Sequence, residues 1–221
     1  MGSEISPLFI NNKNIYKMAC ELTRGLLVDC KDQIGGLKTI FFCANYSSNI
    51  GQHYTPNGTD ALQIDTAGFT GWSAYGSPTA STMTLYKYDL RPNLSSMTVN
   101  VNSDASAGTT FFSQTLSLTL QKISVAQANE IKLICYNRVQ IFVQDNNDNV
   151  YLLGFNNGMD VTGGTIVTGA AKGDMSGFTL ELEGQEKEPI FMIKKTAGSG
   201  TDYPFDALGD ADSELTIVSG T

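Results

Sequence analysis

The chain has 221 residues, 41% of them hydrophobic and 16% charged, with 22 glycines and 6 prolines, which excludes disordered, collagen-like and coiled-coil sequence and leaves one large domain or two small ones. Its 22 acidic residues outnumber 14 basic ones for a net charge of −8, so the chain as a whole repels a phosphate backbone, which argues against a specific nucleic-acid reader. No apolar run approaches the roughly 20 residues that cross a bilayer, and the start MGSEISPLFINNKNIYK lacks the charged, apolar and small regions of a signal peptide, so neither membrane insertion nor Sec-type export is expected.

In chain order, residues 1–17 are Asn-rich and read as an N-terminal arm. Residues 18–193 form the expected domain, and its dominant signal is β. LKTIFF (Leu37 to Phe42), TLYKYDL (Thr84 to Leu90), SMTVNV (Ser96 to Val101), TLSLTL (Thr115 to Leu120), VQIFV (Val139 to Val143), VYLLGF (Val150 to Phe155) and FTLELEG (Phe178 to Gly184) are short, rich in β-branched or aromatic residues, and separated by turn clusters. Met97, Val99 and Val101 alternate with polar neighbours, as do Leu116, Leu118 and Leu120, so each strand has one buried and one wet face. The pattern predicts a mainly β, two-layer sandwich or barrel.

Between those two strands Asn102 to Gln114 is too long for a two-residue turn and predicts a hairpin arm, with Asn102, Ser103, Asp104, Gly108, Phe111 and Phe112 as candidate contact residues. Ser124 with Gln127 three residues later is a capping-box spacing that starts one flanking helix, whose Ala128, Ile131, Ile134 and Cys135 fall on one face. A hairpin follows, turning through DNNDN (Asp145 to Asn149). Residues 194–221 read as an acidic C-terminal arm: from 196 onward it carries five acidic residues and no Lys or Arg, and its ELTIV could add a strand to a neighbour's sheet edge.

Several chemical motifs fail. Gly164 and Gly169 have phosphate-loop spacing, but Ala-Ala-Lys follows in place of Lys-Ser/Thr. Asp145, Asn147 and Asn149 alternate as in a calcium loop, but Val150 and Asn156 occupy the positions of its Gly and Glu. Cys20, Cys30, Cys43 and Cys135 contain no C-x-x-C pair and His53 is the only histidine, so free thiols are expected and no metal or other cofactor. Glu181, Glu183, Glu186 and Glu188 read as the solvated face of an edge strand rather than paired catalytic carboxylates. Nucleophilic hydrolysis lacks its usual base, so the chain is not expected to be an enzyme.

ACEL (Ala19 to Leu22), CKDQIGGLK (Cys30 to Lys38), TTFFSQTLSLTL, EIKLICYNR (Glu130 to Arg138), DNNDN, DVTGGTIVTG (Asp160 to Gly169) and GDMSGFTLELEGQEKEP (Gly173 to Pro189), taken together, resemble tailed-bacteriophage virion structural proteins, and the order arm, helix, hairpin, glycine-rich strands is similar to a tail tube protein. The resemblance covers about half the chain, mainly its second part; residues 47–95 match nothing in it, and it begins near ACEL, so the segment before Met18 is an added arm or follows an upstream start. It implies a sandwich with a flanking helix, hexameric rings closed by edge-strand pairing and stacked into a tube within the virion tail, made in the host cytoplasm, with other tail proteins as partners and DNA only in transit through the lumen. Acidic and small polar side chains would suit such a lumen. Gly163, Gly164, Ile166, Gly169, Asp174, Gly177 and Phe178 are then expected on two adjacent strands at a subunit boundary, where a bulky residue at Gly164 should block assembly more than folding. The alternatives are another virion β-protein, such as a capsid decoration or tail-completion protein, or a carbohydrate-binding or adhesion module using Trp72 and Tyr75.

Overall fold

In the computed structural model, residues 25, 31, 33–43, 62–64, 83–193, 203–205 and 215–220 are described. The chain divides into two units, Met1–Asp32 and Gln33–Thr221, and all the elements named below belong to the second. Residues 1–17, Cys20, Cys30, His53, Trp72 and Tyr75 lie outside the described residues.

The strands are β1 (Leu37–Cys43), β2 (Gln63–Ile64), β3 (Met83–Asp89), β4 (Ser96–Asp104), β5 (Thr109–Gln121), β6 (Ile141–Asp145), β7 (Val150–Leu153), β8 (Asp160–Val167), β9 (Gly177–Glu186), β10 (Phe191–Ile193) and β11 (Leu215–Ser219), with helix α1 (Val125–Tyr136) between β5 and β6. They form a seven-stranded sheet in the order β11-β3-β1-β6-β7-β10-β2 and a four-stranded sheet in the order β4-β5-β9-β8. The fold is mainly β with two sheets, as the alternation of the sequence predicts.

Alternation explains the four-stranded sheet directly. Leu116 and Leu118 of β5 and Phe178, Leu180 and Leu182 of β9 face inward, where they pack with Ile40, Phe42, Ile141, Val143 and Leu153 of the larger sheet. The larger sheet differs because β1 and β6 are apolar on both faces. Their opposite side chains join a second core, in which Phe205 meets the rings of Phe41 and Phe142 edge-on, each at 5.1 Å.

Helix α1 closes one side of the inner core with Ile131 and Ile134. Its cap is half of the predicted box: Ser124 Oγ accepts from the Gln127 N–H at 3.2 Å, whereas Gln127 Oε1 is buried without a partner. Ala128 and Cys135, expected on the packed face, are exposed, because they lie at the flank of the narrow arc that Ile131 and Ile134 bury. The hairpin of β6 and β7 turns through Asp148 at φ 61°, in the left-handed region that Asp tolerates. Residues Leu215–Ser219, expected on a neighbour's edge, pair in parallel with β3 of their own chain.

Candidate functional site

The outward face of the four-stranded sheet is built by register. Ser96, Ser117 and Glu181 stand in one row across β4, β5 and β9; Thr98, Thr115, Glu183 and Asp160 form the next, which reaches β8; Thr119, Thr179 and Thr165 form a third across β5, β9 and β8. Asn100, Ser113 and Gln185 continue toward the arm. The strands therefore present hydroxyl, amide and carboxylate groups, and none of these rows contains Lys or Arg. Thr165 and Thr179 share a hydroxyl hydrogen bond of 2.6 Å, and Ser113 donates to Glu183 at 3.3 Å. Glu183 stands opposite Asp160, a like-charge pair that costs stability, and Arg138 offsets it through an ion pair to Asp160 at 3.3 Å.

Both edges of this sheet, β4 and β8, lack a partner strand within the described residues. β9 lies between β5 and β8, which corrects its reading as an edge strand. The four glutamates do not share one face either. Glu181 and Glu183 point outward, and Glu186, at the opposite parity, is buried at 2% exposure. Its Oε1 accepts from the N–H groups of Asn156 (3.0 Å) and Asn157 (2.7 Å), while Oε2 is buried with no partner. Burial pushes the Glu186 carboxyl above the usual range, against the pull of those donors. The same Gly154–Gly158 loop is gripped by Gln114, whose Oε1 accepts from Gly154 N–H at 2.9 Å, and by Gln140, whose Nε2 donates to Phe155 O at 2.8 Å.

The arm is strand almost to its tip. β4 and β5 pair as far as Asp104↔Thr109, so the connection shrinks to the four residues Ala105 to Gly108, with Gly108 at φ 64°. β9 leaves the ladder at Phe112↔Glu186, and the pairs of Asn102, Ser103 and Asp104 with Phe111, Thr110 and Thr109 stand clear of it, a reach of about 10 Å. Asp104 ties the tip by accepting from Ser106 Oγ (2.6 Å), Ser106 N–H (2.8 Å) and Ala107 N–H (3.3 Å), bonds that hold its carboxyl below the usual range. Val101 is 65% and Phe111 39% exposed. Phe112 is half-buried at the arm's base.

The glycine-rich strands lie side by side as β8 and β9, with a bulge between Val161 and Gly163. Two of their glycines, Gly164 and Gly177, serve this chain's own packing. A Cβ on Gly164 would sit 2.5 Å from Thr179 O, and one on Gly177 would strike Leu120 O, so the close approach is to β9 and β5 of the same chain. A bulky residue at Gly164, expected to block assembly more than folding, therefore also disturbs the packing of its own chain. Gly163 has room, its nearest neighbour being Glu181 Oε2 at 3.6 Å, and Ile166 is 66% exposed, while Phe178 is buried in the inner core. Gly169 (φ 70°) and Asp174 build the connecting turn. Asp174 Oδ2 accepts from the N–H groups of Ala170 (2.8 Å) and Ala171 (2.7 Å), which lower its pKa and fill with a carboxylate the place a phosphate would need. Ser176 contributes its main-chain carbonyl, which accepts from Lys122 N–H at 2.9 Å.

Asp145 behaves likewise. Its Oδ1 accepts from the N–H groups of Asn147 and Asn149, both at 2.8 Å, and its Oδ2 from Asn149 Nδ2 at 3.0 Å and Tyr151 OH at 3.2 Å. Burial raises this carboxyl, but the bonds from Asn149 and Asn147 outweigh it and leave the pKa lowered. The sequence missed Gln114, Gln140 and Glu186 as a group. Their strand parity marks Gln114 and Glu186 as inward-facing, but only the fold brings them to one loop. Compared with known proteins, the chain matches no family model, no curated protein and no solved structure.

Proposed function

We propose that this chain is a non-enzymatic structural subunit of a bacteriophage tail tube, whose copies form stacked hexameric rings around a conduit for DNA, assembled in the host cytoplasm and carried in the virion tail with other tail proteins. One observation carries the reading: a four-stranded sheet with two edges that are unpaired among the described residues and an outward face whose strand rows carry hydroxyls, amides and carboxylates but no Lys or Arg, the one cation on it being Arg138, which is already paired with Asp160. Every neighbour pair in that sheet is antiparallel, so β4 and β8 themselves run in opposite directions. With eight and nine residues, β8 of one copy can meet β4 of the next without breaking the antiparallel pattern. Ring closure then removes both edges, which otherwise invite uncontrolled aggregation.

A lumen faced by Thr98, Thr115, Thr179, Glu181 and Glu183 offers DNA no counterions to release and so no reason to stick. On this reading β8 and the arm are contact elements, laterally and between rings. Negative-stain images of the purified chain over a range of concentrations test it. Tubes or stacked six-fold rings support the reading; closed rings that never stack favour another virion β-protein, and persistent monomers that bind glycans favour the adhesion module.

A further inference from the structure

The arm occupies one end of β4, and a cleft occupies the other. Asp104, at the last ladder pair, carries the tip, while Ser95, Ser96 and Met97 at the start of the same strand line a cleft of about 360 Å³. Nine residues of strand separate them by about 27 Å. The cleft is completed by the segment before β1, including Ile34 and Gly35, by Leu37 at the start of β1, and by Tyr151.

That segment is held rigidly. Ile34 N–H donates to Asn147 Oδ1 at 2.9 Å, Asn147 Nδ2 returns to Ile34 O at 2.8 Å, and Asn146 Nδ2 donates to Gly35 O at 2.8 Å. These bonds fix the main chain and leave the Ile34 side chain 66% exposed at the rim. The lining is apolar at Ile34, Leu37 and Met97 and otherwise uncharged except for Asp145, whose oxygens are engaged in its own hairpin.

We infer that the cleft is the receptor for the β4–β5 arm of a second copy of this chain. Three features select that occupant. The arm carries the exposed Phe111 ring on one face of its two-stranded ribbon and Val101 on the other, and a single aromatic side chain suits a cleft at the small end of the pocket range. Its only carboxylate, Asp104, is already bonded to its own turn, and Asp145 to its own hairpin, so docking strands no unpaired charge. A projection and a recess at opposite ends of one strand also form a heterologous pair, which joins copies head to tail and generates a filament wherever the rotation between them does not close. One such contact is small and weak; several made together by one ring on the next would hold. The inference rests on the chain being a self-assembling subunit and names the surface that its arm engages.

A photo-crosslinking benzophenone in place of the Phe111 ring, in the full chain at assembly concentrations, tests it. The expected product is a covalent dimer whose linked peptide contains residues 33–37 or 95–97 of the second copy, lost at least tenfold when Ile34→Glu is introduced into that copy. Ile34→Glu alters an exposed side chain, and an unchanged melting temperature confirms that it folds. Crosslinks that map elsewhere, or no intermolecular crosslink at all, overturn the inference. Electron microscopy of the same sample separates the two readings: end-to-end filaments with the expected crosslink but without six-fold rings keep the arm receptor and reject the tube, whereas six-fold tubes crosslinked elsewhere do the reverse.

Discussion

The two sheets of this protein solve different problems. The seven-stranded sheet is apolar on both faces of β1 and β6, with Ile40 and Phe42 turned to one core and Phe41 and Phe142 to the other, each at most 2% exposed. The four-stranded sheet spends only one face on the core and presents a wet face whose strand rows carry no Lys or Arg, together with two edges that are unpaired among the described residues. The lesson is a division of labour. Stability is concentrated in the larger sheet, and the smaller one, anchored through Leu116, Leu118, Leu180 and Leu182, is free to carry polar side chains chosen for what passes over them or pairs with them.

The sharpest test of that division compares truncations on the two sheets. Phe142→Ala removes a ring that is 1% exposed and packed edge-on to Phe205, and is expected to cost about 3–5 kcal/mol in denaturant unfolding. Thr115→Ala, in the middle of the wet face, is expected to change stability by less than about 0.5 kcal/mol. Equal effects would dissolve the distinction.

Within the smaller sheet, the glycines separate folding from assembly. Gly164→Val forces a side chain against Thr179 O and Leu180 and is expected to cost about 1–3 kcal/mol by thermal melting. Gly163→Val has space on its own chain, so it should leave the melt nearly unchanged and reduce assembly by crowding the side chain that would face it on the β4 strand of the next copy. A Gly163→Val protein that assembles normally would remove β8 from the proposed boundary.

A smaller, pH-dependent effect is expected at Glu186, beside the base of the arm. Because its folded pKa is raised above the usual 4.5, the folded state holds the proton more tightly than the unfolded chain does. Its contribution to stability is therefore complete below about 4.5 and is lost as pH rises through the folded value. Glu186→Gln keeps an oxygen for Asn156 and Asn157 N–H without requiring a buried charge, and is expected to stabilise the protein by roughly 1 kcal/mol at pH 7 while matching wild type near pH 4. Melting curves across that range check it; a variant less stable at pH 7 than wild type contradicts the assignment.

The same division governs what the sequence disclosed. Strict alternation in SMTVNV and TLSLTL identifies the smaller sheet's two faces, and Ser124 marks the helix start, because these signals are local. Glu186 was legible by parity: an even position cannot share a face with Glu181 and Glu183 along an unbroken strand. Strand order was not legible. The central place of β9, the parallel pairing of β11 with β3 and of β10 with β2, and the cleft where residues 33–37, 95–97 and 145–151 meet all depend on contacts distant in sequence, which no local pattern encodes. Gly164 and Gly177 show the complementary error, since an excess of glycine announces close backbone approach without saying whose backbone approaches.

Hydrogen exchange at the two open edges, measured on monomer and on assembled material, tests the central claim most directly. Edge pairing predicts that amides in Ser96–Asp104 and Asp160–Val167 gain protection together on assembly, while those of the interior strand β9 change little. Assembled particles in which both edges exchange at the monomer's rate would contradict it.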